Sequence, residues 1–199
     1  PSGAGKTSLV KALIESDPDI CVSVSHTTRV QRPGEQHGVN YHFIDATEFS
    51  SMVAGDAFLE YATVFGNSYG TSKQWVAEQL GAGRDVILEI DWQGAQQVRE
   101  WVDSQPGLAS RGIFILPPSL DELKRRLTGR GQDEAGVIEQ RMAQAVAEVG
   151  HYPDADFLVI NDVFEQALAD LQAIVRCHRL ARERQGSVYA GLLASLTHA

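Results

Sequence analysis

Cysteine, methionine and positive charge are all scarce in this sequence, and each shortage narrows what the chain can be. Cys21 and Cys177 are the two cysteines of 199 residues, far apart and with no Cys-x-x-Cys pairing. That suits two reduced thiols in a cytosolic protein better than a disulfide or metal scaffold. The six histidines make no His-x-x-x-His pair, and His37 and His42 are five apart across a glycine. That is poor geometry for shared ligation, so no structural zinc site is expected. Basic residues number 17 against 26 acidic, a net charge of −9, which argues against broad nucleic-acid binding. No apolar run reaches the ~20 residues of a membrane span, and no secretory signal is visible. Internal repeats and low-complexity linkers are also missing. An apolar share of 43% still leaves material for a real core, so one α/β domain with insertions, or at most two small domains, is expected.

What is present is concentrated at the start. Pro1-Ser2-Gly3-Ala4-Gly5-Lys6-Thr7 reads as most of a phosphate-binding loop. Gly3 and Gly5 let the backbone curl so that N–H groups point at an anion. Lys6 adds a mobile positive charge for the outer phosphates, and the Thr7 hydroxyl can ligate the accompanying magnesium. A helix over about Lys6 to Ser16 aims its positive end at the same point. The alternative is a glycine-rich surface turn before an ordinary helix. The full pattern also carries a small residue five positions before Gly5 and an apolar strand before that, so the sequence starts inside its own motif. The strand feeding such a loop lies in mid-sheet, which predicts that Val86–Ile90 and Ile113–Leu116 do not pair directly with each other.

Further along, Ile20–Ser25, Tyr41–Ile44 and Phe58–Phe65 read as strands, and Gly66–Gly70 as turn chemistry. Asp45 opens a short helix, and Thr71 or Ser72 caps another that ends at Gly81-Ala82-Gly83. Asp85–Asp91 reads as one continuous buried strand with acids at its carboxyl end, followed by a helix to about Val102. Gly112–Leu116 and Phe157–Ile160 are further core strands. Helices are expected from Ser119 through Leu127, from Glu134 to Val149, and from Phe164 to about Arg184. The late arginines of that last helix, Arg176, Arg179, Arg182 and Arg184, suit the negative end of its dipole. Strands alternating with helices after a phosphate loop point to a three-layer α/β fold with a parallel sheet. The segment from Ser25 to Tyr69 breaks the alternation and reads as a small insertion.

Three groups of residues carry chemistry. Arg29 and Arg32, three apart, with Tyr41 behind them, offer two guanidinium forks and a phenol to a second phosphate; the alternative is a solvated basic hairpin. Glu60 and Asp91 lie at or within apolar strands, where an unpaired carboxylate is costly. Guanine offers N1–H and an exocyclic amine, two donors that a carboxylate accepts. The alternatives are the solvent face of an edge strand for Glu60 and a magnesium-water site for Glu89 and Asp91. Arg126 and Arg130, four apart, with Arg141 on the next helix, suit a mobile lid that brings positive charge to a phosphoryl group; surface arginine is the alternative.

Pro1 to Thr7, Ser-Val-Ser-His-Thr-Thr-Arg with Arg-Pro-Gly-Glu, Tyr-Gly-Thr, Ile-Asp-Trp-Gln-Gly, Pro-Pro-Ser and Gly-Arg-Gly together resemble the guanylate kinase family over Pro1 to about Arg182. The resemblance implies a phosphate-loop NTPase core (1–25, 76–116 and 148–199), a mixed α+β GMP-binding insertion (26–75) and a helical lid (117–147). It implies a cytoplasmic enzyme that moves the γ-phosphoryl of ATP onto GMP or dGMP, with magnesium and with no nucleic acid or membrane as partner. Ser2, Gly3, Ala4, Gly5, Lys6 and Thr7 would hold ATP with Arg126 and Arg130, and Lys6, Arg130 and Arg141 would be catalytic. Arg29, Arg32, Tyr41 and Tyr69 would hold the GMP phosphate. Ser25, Glu60, Thr71 and Asp91 would hold guanine. Thr7 and, through water, Glu89 would serve magnesium. Glu89 stands where the family often has Asp, a change of reach and not of charge. Two rivals are a related interaction module without catalysis, which usually lacks the loop lysine, and a kinase for another nucleoside monophosphate.

Overall fold

A computed structural model describes residues 1–64, 66–129 and 135–197, by backbone alone over 135–138. Lys6–Ser16 (α1) is helical because Leu9, Val10 and Leu13 recur on one face, and all three are buried. Ile20–Val22 (β1) follows, then the two-residue strands His26–Thr27 (β2) and His42–Phe43 (β3). Asp45 accepts the Glu48 N–H and opens Ala46–Ala54 (α2), the expected cap. Phe58–Val64 (β4) and Asn67–Ser72 (β5) form an antiparallel hairpin with Tyr61 opposite Gly70. The glycine-rich stretch read as a turn is therefore mostly strand. Only Gly66, with φ of 72°, needs the left-handed conformation that glycine favours, and pairing with β4 overrides the composition of the rest.

Ser72 caps Lys73–Gly81 (α3). The next strand, Asp85–Ile87 (β6), stops four residues short of the expected Asp91. Its partner β1 runs parallel to it over only three residue pairs, and Asp91 is needed as the N-cap of Trp92–Asp103 (α4), where it accepts the Gly94 N–H. Ile113–Leu116 (β7) precedes Leu120–Thr128 (α5), capped by Ser119, and Ala135–Val149 (α6). Phe157–Ile160 (β8) lies parallel to β7 along four residue pairs. Phe164–Arg179 (α7), Arg182–Val188 (α8) and Ala190–Thr197 (α9) complete the chain. The single long helix expected here breaks at Leu180 and Ala181. Arg179 reaches Asp17 and Asp85, and Arg184 also reaches Asp85, so two of the late arginines are ion-paired to the C-cap of α1 and the first residue of β6.

Outside the small sheet, where β2 and β3 also run parallel, parallel pairing joins β1 to β6 and β7 to β8, and among the described residues these two pairs are not hydrogen-bonded to each other. Direct pairing of β6 with β7, the outcome excluded by the expected strand order, does not occur. One apolar cluster unites the two pairs: Leu9 and Leu13 of α1, Ile20 of β1, Ile115 of β7, Val159 of β8, and Ala167 and Leu171 of α7. Leu9 is fully enclosed, and truncating such a leucine to alanine costs about 2–5 kcal/mol. A second cluster, Leu123 and Leu127 against Ala145, joins α5 to α6. The remaining sheet, in the order β3-β2-β5-β4, is formed within residues 26–72. The result is an α/β fold of the phosphate-loop kind, with parallel strand pairs and a separate small sheet.

Candidate active site

A cleft of about 800 Å³ runs from the N-terminal loop across to the small sheet. At one end, Gly3 and Gly5 take φ of 86° and 91°, values open to glycine and strained for other residues. Neither glycine has room for a side chain: a Cβ on Gly3 would press on Leu123 of α5, and one on Gly5 would collide with the Asn161 amide. The loop is held from outside at the Ala4 carbonyl. Asn161 Nδ2 donates to it at 2.8 Å, and Arg126 Nη1 reaches it at 3.5 Å while Nη2 bonds the Asn161 carbonyl at 2.9 Å. Glu122 aims the Arg126 guanidinium with a contact of 2.6 Å. Lys6 lines the cleft and makes no hydrogen bond or ion pair among the described residues. Thr7 Oγ1 donates to Glu89 Oε2 at 2.9 Å, so a hydroxyl and a carboxylate, both hard oxygen donors, meet beside the loop.

Opposite the loop, Arg29 and Arg32 line the cleft with Tyr41 and Tyr69. Glu35 organises them: Oε1 takes the Arg29 guanidinium at 2.6 Å, and Oε2 accepts the Arg32 backbone N–H at 2.8 Å. These bonds hold the Glu35 carboxyl below its ordinary range, with the Arg29 hydrogen bond the largest cause. The Pro33-Gly34 turn, with Gly34 at φ of 86°, brings Glu35 back onto both arginines. Arg29 lies 5.4 Å from the centroid of the Tyr41 ring, whose centre is 5.9 Å from that of Tyr69. Burial pushes the Tyr41 phenol up, which keeps it a neutral donor.

Glu60 sits deeper, 3% exposed. Its Oε1 accepts the hydroxyl of the fully buried Thr71 at 2.5 Å. Burial raises the Glu60 pKa, the Thr71 bond opposes that, and the negative charge of Asp91 adds to it. Ser25 and Asp91 also line the cleft.

The structure thus gathers Ser2, Gly3, Gly5, Lys6, Thr7, Ser25, Arg29, Arg32, Tyr41, Glu60, Tyr69, Glu89, Asp91 and Arg141 around one cleft. Ala4 is fully buried and contributes its carbonyl to the loop's support; Thr71 stands behind Glu60; Arg126 stands behind the loop. Arg130 lies outside the described residues. Glu89 and Asp91 belong to the segment after β6 and not to a strand. Sequence reasoning missed Asn161, whose signal was a polar residue directly after the apolar run Phe157–Ile160. It also missed Glu35 and Glu122, each placed to orient an arginine three to six residues away.

The guanylate kinase family pattern matches residues 1–178. The chain is 57% identical to a guanylate kinase of Saccharophagus degradans over 98% of its own length and 93% of that protein. To a guanylate kinase of Alkalilimnicola ehrlichii it is 58% identical, over 98% and 94%. Its fold superposes on the crystal structure of guanylate kinase from Anaplasma phagocytophilum with a TM-score of 0.75 at 31% identity, covering 89% of this chain and 84% of that one. A phosphate loop and a buried carboxylate facing one cleft, together with these likenesses, mean that the chain belongs to the guanylate kinase family.

Proposed function

We propose that this chain is an ATP:GMP phosphotransferase, giving ADP and GDP, and that dGMP is a second acceptor. The observation that carries the reading is the lining of one cleft, in which the phosphate loop, a buried carboxylate, two arginines and two phenols face the same space. Glu60 and Asp91 present acceptors suited to the N1–H and amine of guanine, with Ser25 beside them and Thr71 orienting Glu60. Arg29, Arg32, Tyr41 and Tyr69 receive the acceptor's phosphate as forks and neutral donors. Residues 26–75 thereby form the GMP side, and 117–147 the lid.

Residues Ser2 to Thr7 wrap the phosphates of ATP, Lys6 follows the charge on the transferring group, and Arg141 adds a second cation from α6. Arg130 belongs with these by the same reading. Arg126 supports the loop through Ala4 and Asn161. The Thr7–Glu89 pair fits magnesium as a hydroxyl and a carboxylate, Thr7 directly and Glu89 through water. When bound with ATP, that ion neutralises charge on the outer phosphates. The protein's task is otherwise placement: in-line alignment of acceptor and donor, and exclusion of the water that would take the phosphoryl group.

The substrates are small molecules. Net charge of −9 disfavours nucleic acid, and among the described residues no helix is long and apolar enough to cross a membrane. Cysteines 21 and 177 as free thiols agree with a cytoplasmic setting. An assay coupled to ADP release, run with GMP, dGMP, AMP and dTMP, tests the reading. GMP and dGMP should turn over; equal or faster turnover with AMP overturns the assignment of Glu60 and Asp91.

A further inference from the structure

A carboxylate discriminates base edges only if its position is fixed, and the support of Glu60 extends beyond the cleft. Helix α4 presents Gly94 and Gln97, one turn apart, to β4. An added Cβ at Gly94 would collide with Glu60 Oε2, so helix and carboxylate are in contact there. Gln97 then makes two hydrogen bonds to the backbone of Tyr61, the residue after Glu60. Its Oε1 accepts the Tyr61 N–H at 3.1 Å, and its Nε2 donates to the Tyr61 carbonyl at 2.9 Å. A primary amide carries one acceptor and a donor side by side, as a neighbouring strand's backbone does. Gln97 therefore acts as a partner of single-residue length on the outer edge of β4, the end strand of its sheet. The support is needed at this point, because the pairing of β4 with β5 is irregular between Phe58 and Glu60. Gln97 itself does not line the cleft.

We infer that Gln97 is a positioning residue for guanine selectivity: by pinning the backbone at Tyr61 it fixes where the Glu60 carboxylate meets the base. The inference rests on the reading of Glu60 as the base acceptor. Hypoxanthine keeps the N1–H of guanine and lacks the exocyclic amine. A Glu60 carboxylate that drifts loses the two-donor match to guanine, whereas IMP has only one donor to lose. The ratio of kcat/KM for GMP to that for IMP therefore reports placement, not mere folding.

The test measures that ratio, with KM for ATP, in the parent, Gln97→Ala, Gln97→Met and Glu60→Gln; the methionine keeps an unbranched side chain of similar length and removes only the amide. Glu60→Gln should collapse the ratio. Both Gln97 variants should lower it about tenfold, through KM for GMP, with KM for ATP unchanged within about twofold. A collapsed ratio in Glu60→Gln beside an unchanged one in both Gln97 variants overturns the role of Gln97 and leaves that of Glu60 standing. Equal losses for GMP and IMP in the Gln97 variants also overturn it, since Gln97 then only supports the fold. An unchanged ratio in Glu60→Gln removes the base-reading assignment, and the inference falls with it.

Discussion

Cations around the cleft divide by what already holds them. Arg29 is committed to Glu35 at 2.6 Å, and Arg126 to Glu122 and the backbone near the loop. Such arginines are pre-oriented and cost little further ordering when a phosphate arrives. Lys6 has no such partner among the described residues, and its flexible stem suits a charge that must follow a moving phosphoryl group. Lys6→Met should therefore lower kcat by about 10²–10³-fold while the melting temperature stays near that of the parent. Steady-state kinetics beside thermal unfolding decide it; turnover within about tenfold of the parent would remove Lys6 from the transfer step.

At the scale of elements, the small sheet holds a group that composition concealed. No histidine pair has ligand spacing in the sequence, yet the β2–β3 register places His26 opposite His42. Their rings stack with centroids 4.6 Å apart, and His37 meets His42 edge-on at 5.5 Å. Among the described residues no group of His, Cys, Asp and Glu suits a metal ion. Burial, with the charges of His42 and His37 adding to it, pushes His26 down to about 4, while a backbone hydrogen bond to Gly70 works the other way. Between that value and the 6.5 of an ordinary imidazole, the unfolded chain binds a proton that the folded chain refuses. Folding stability from His26 is thus complete above pH 6.5 and is lost as pH falls towards 4. His26→Phe keeps an aromatic ring against His42 and Phe58 without the titration. Its melting temperature should fall less than the parent's across that window, and parallel curves would show that His26 does not titrate as described.

Legibility in the sequence followed the range of the forces involved. The phosphate loop and the caps at Asp45, Ser72 and Ser119 were readable because each acts within about four residues. Strand extents were not. Asp85–Asp91 is apolar enough to be buried throughout, but hydrophobicity reports burial and not pairing, and β1 offers partners only as far as Ile87. Asn67–Ser72 has turn composition and became a strand because β4 lies beside it. Asn161 and Gln97 act on backbone far away in sequence, at Ala4 and Tyr61, and the sequence near them does not name those partners.

Across the whole molecule, the charges that the proposed transfer would bring together sit on separate elements. Lys6 opens α1, Arg29 and Arg32 precede β3, and Arg141 rides on α6. A single phosphoryl group is only a few ångströms across, so on that proposal these segments are expected to approach one another when both substrates are bound. The far side of α6 is anchored. His151, just beyond its C-terminus, stacks on Trp92 of α4 with centroids 4.1 Å apart and planes within 6°, and Arg99 of α4 bonds the Asp154 carbonyl. Helix α4 also contacts the Glu60 strand through Gly94 and Gln97. Motion is then expected to pivot about the end of α6 nearest α4, with the small sheet and the helices α5 and α6 swinging over the cleft. Small-angle X-ray scattering of the chain alone and with a bisubstrate analogue joining guanosine and adenosine through phosphates should show a smaller radius of gyration in the complex. Trp92→Ala removes one side of the pivot and should weaken that compaction while GMP still binds. An unchanged radius of gyration in the parent complex would mean that the cleft is already closed around its substrates, and the arginines would have to reach the phosphoryl group by side-chain movement alone.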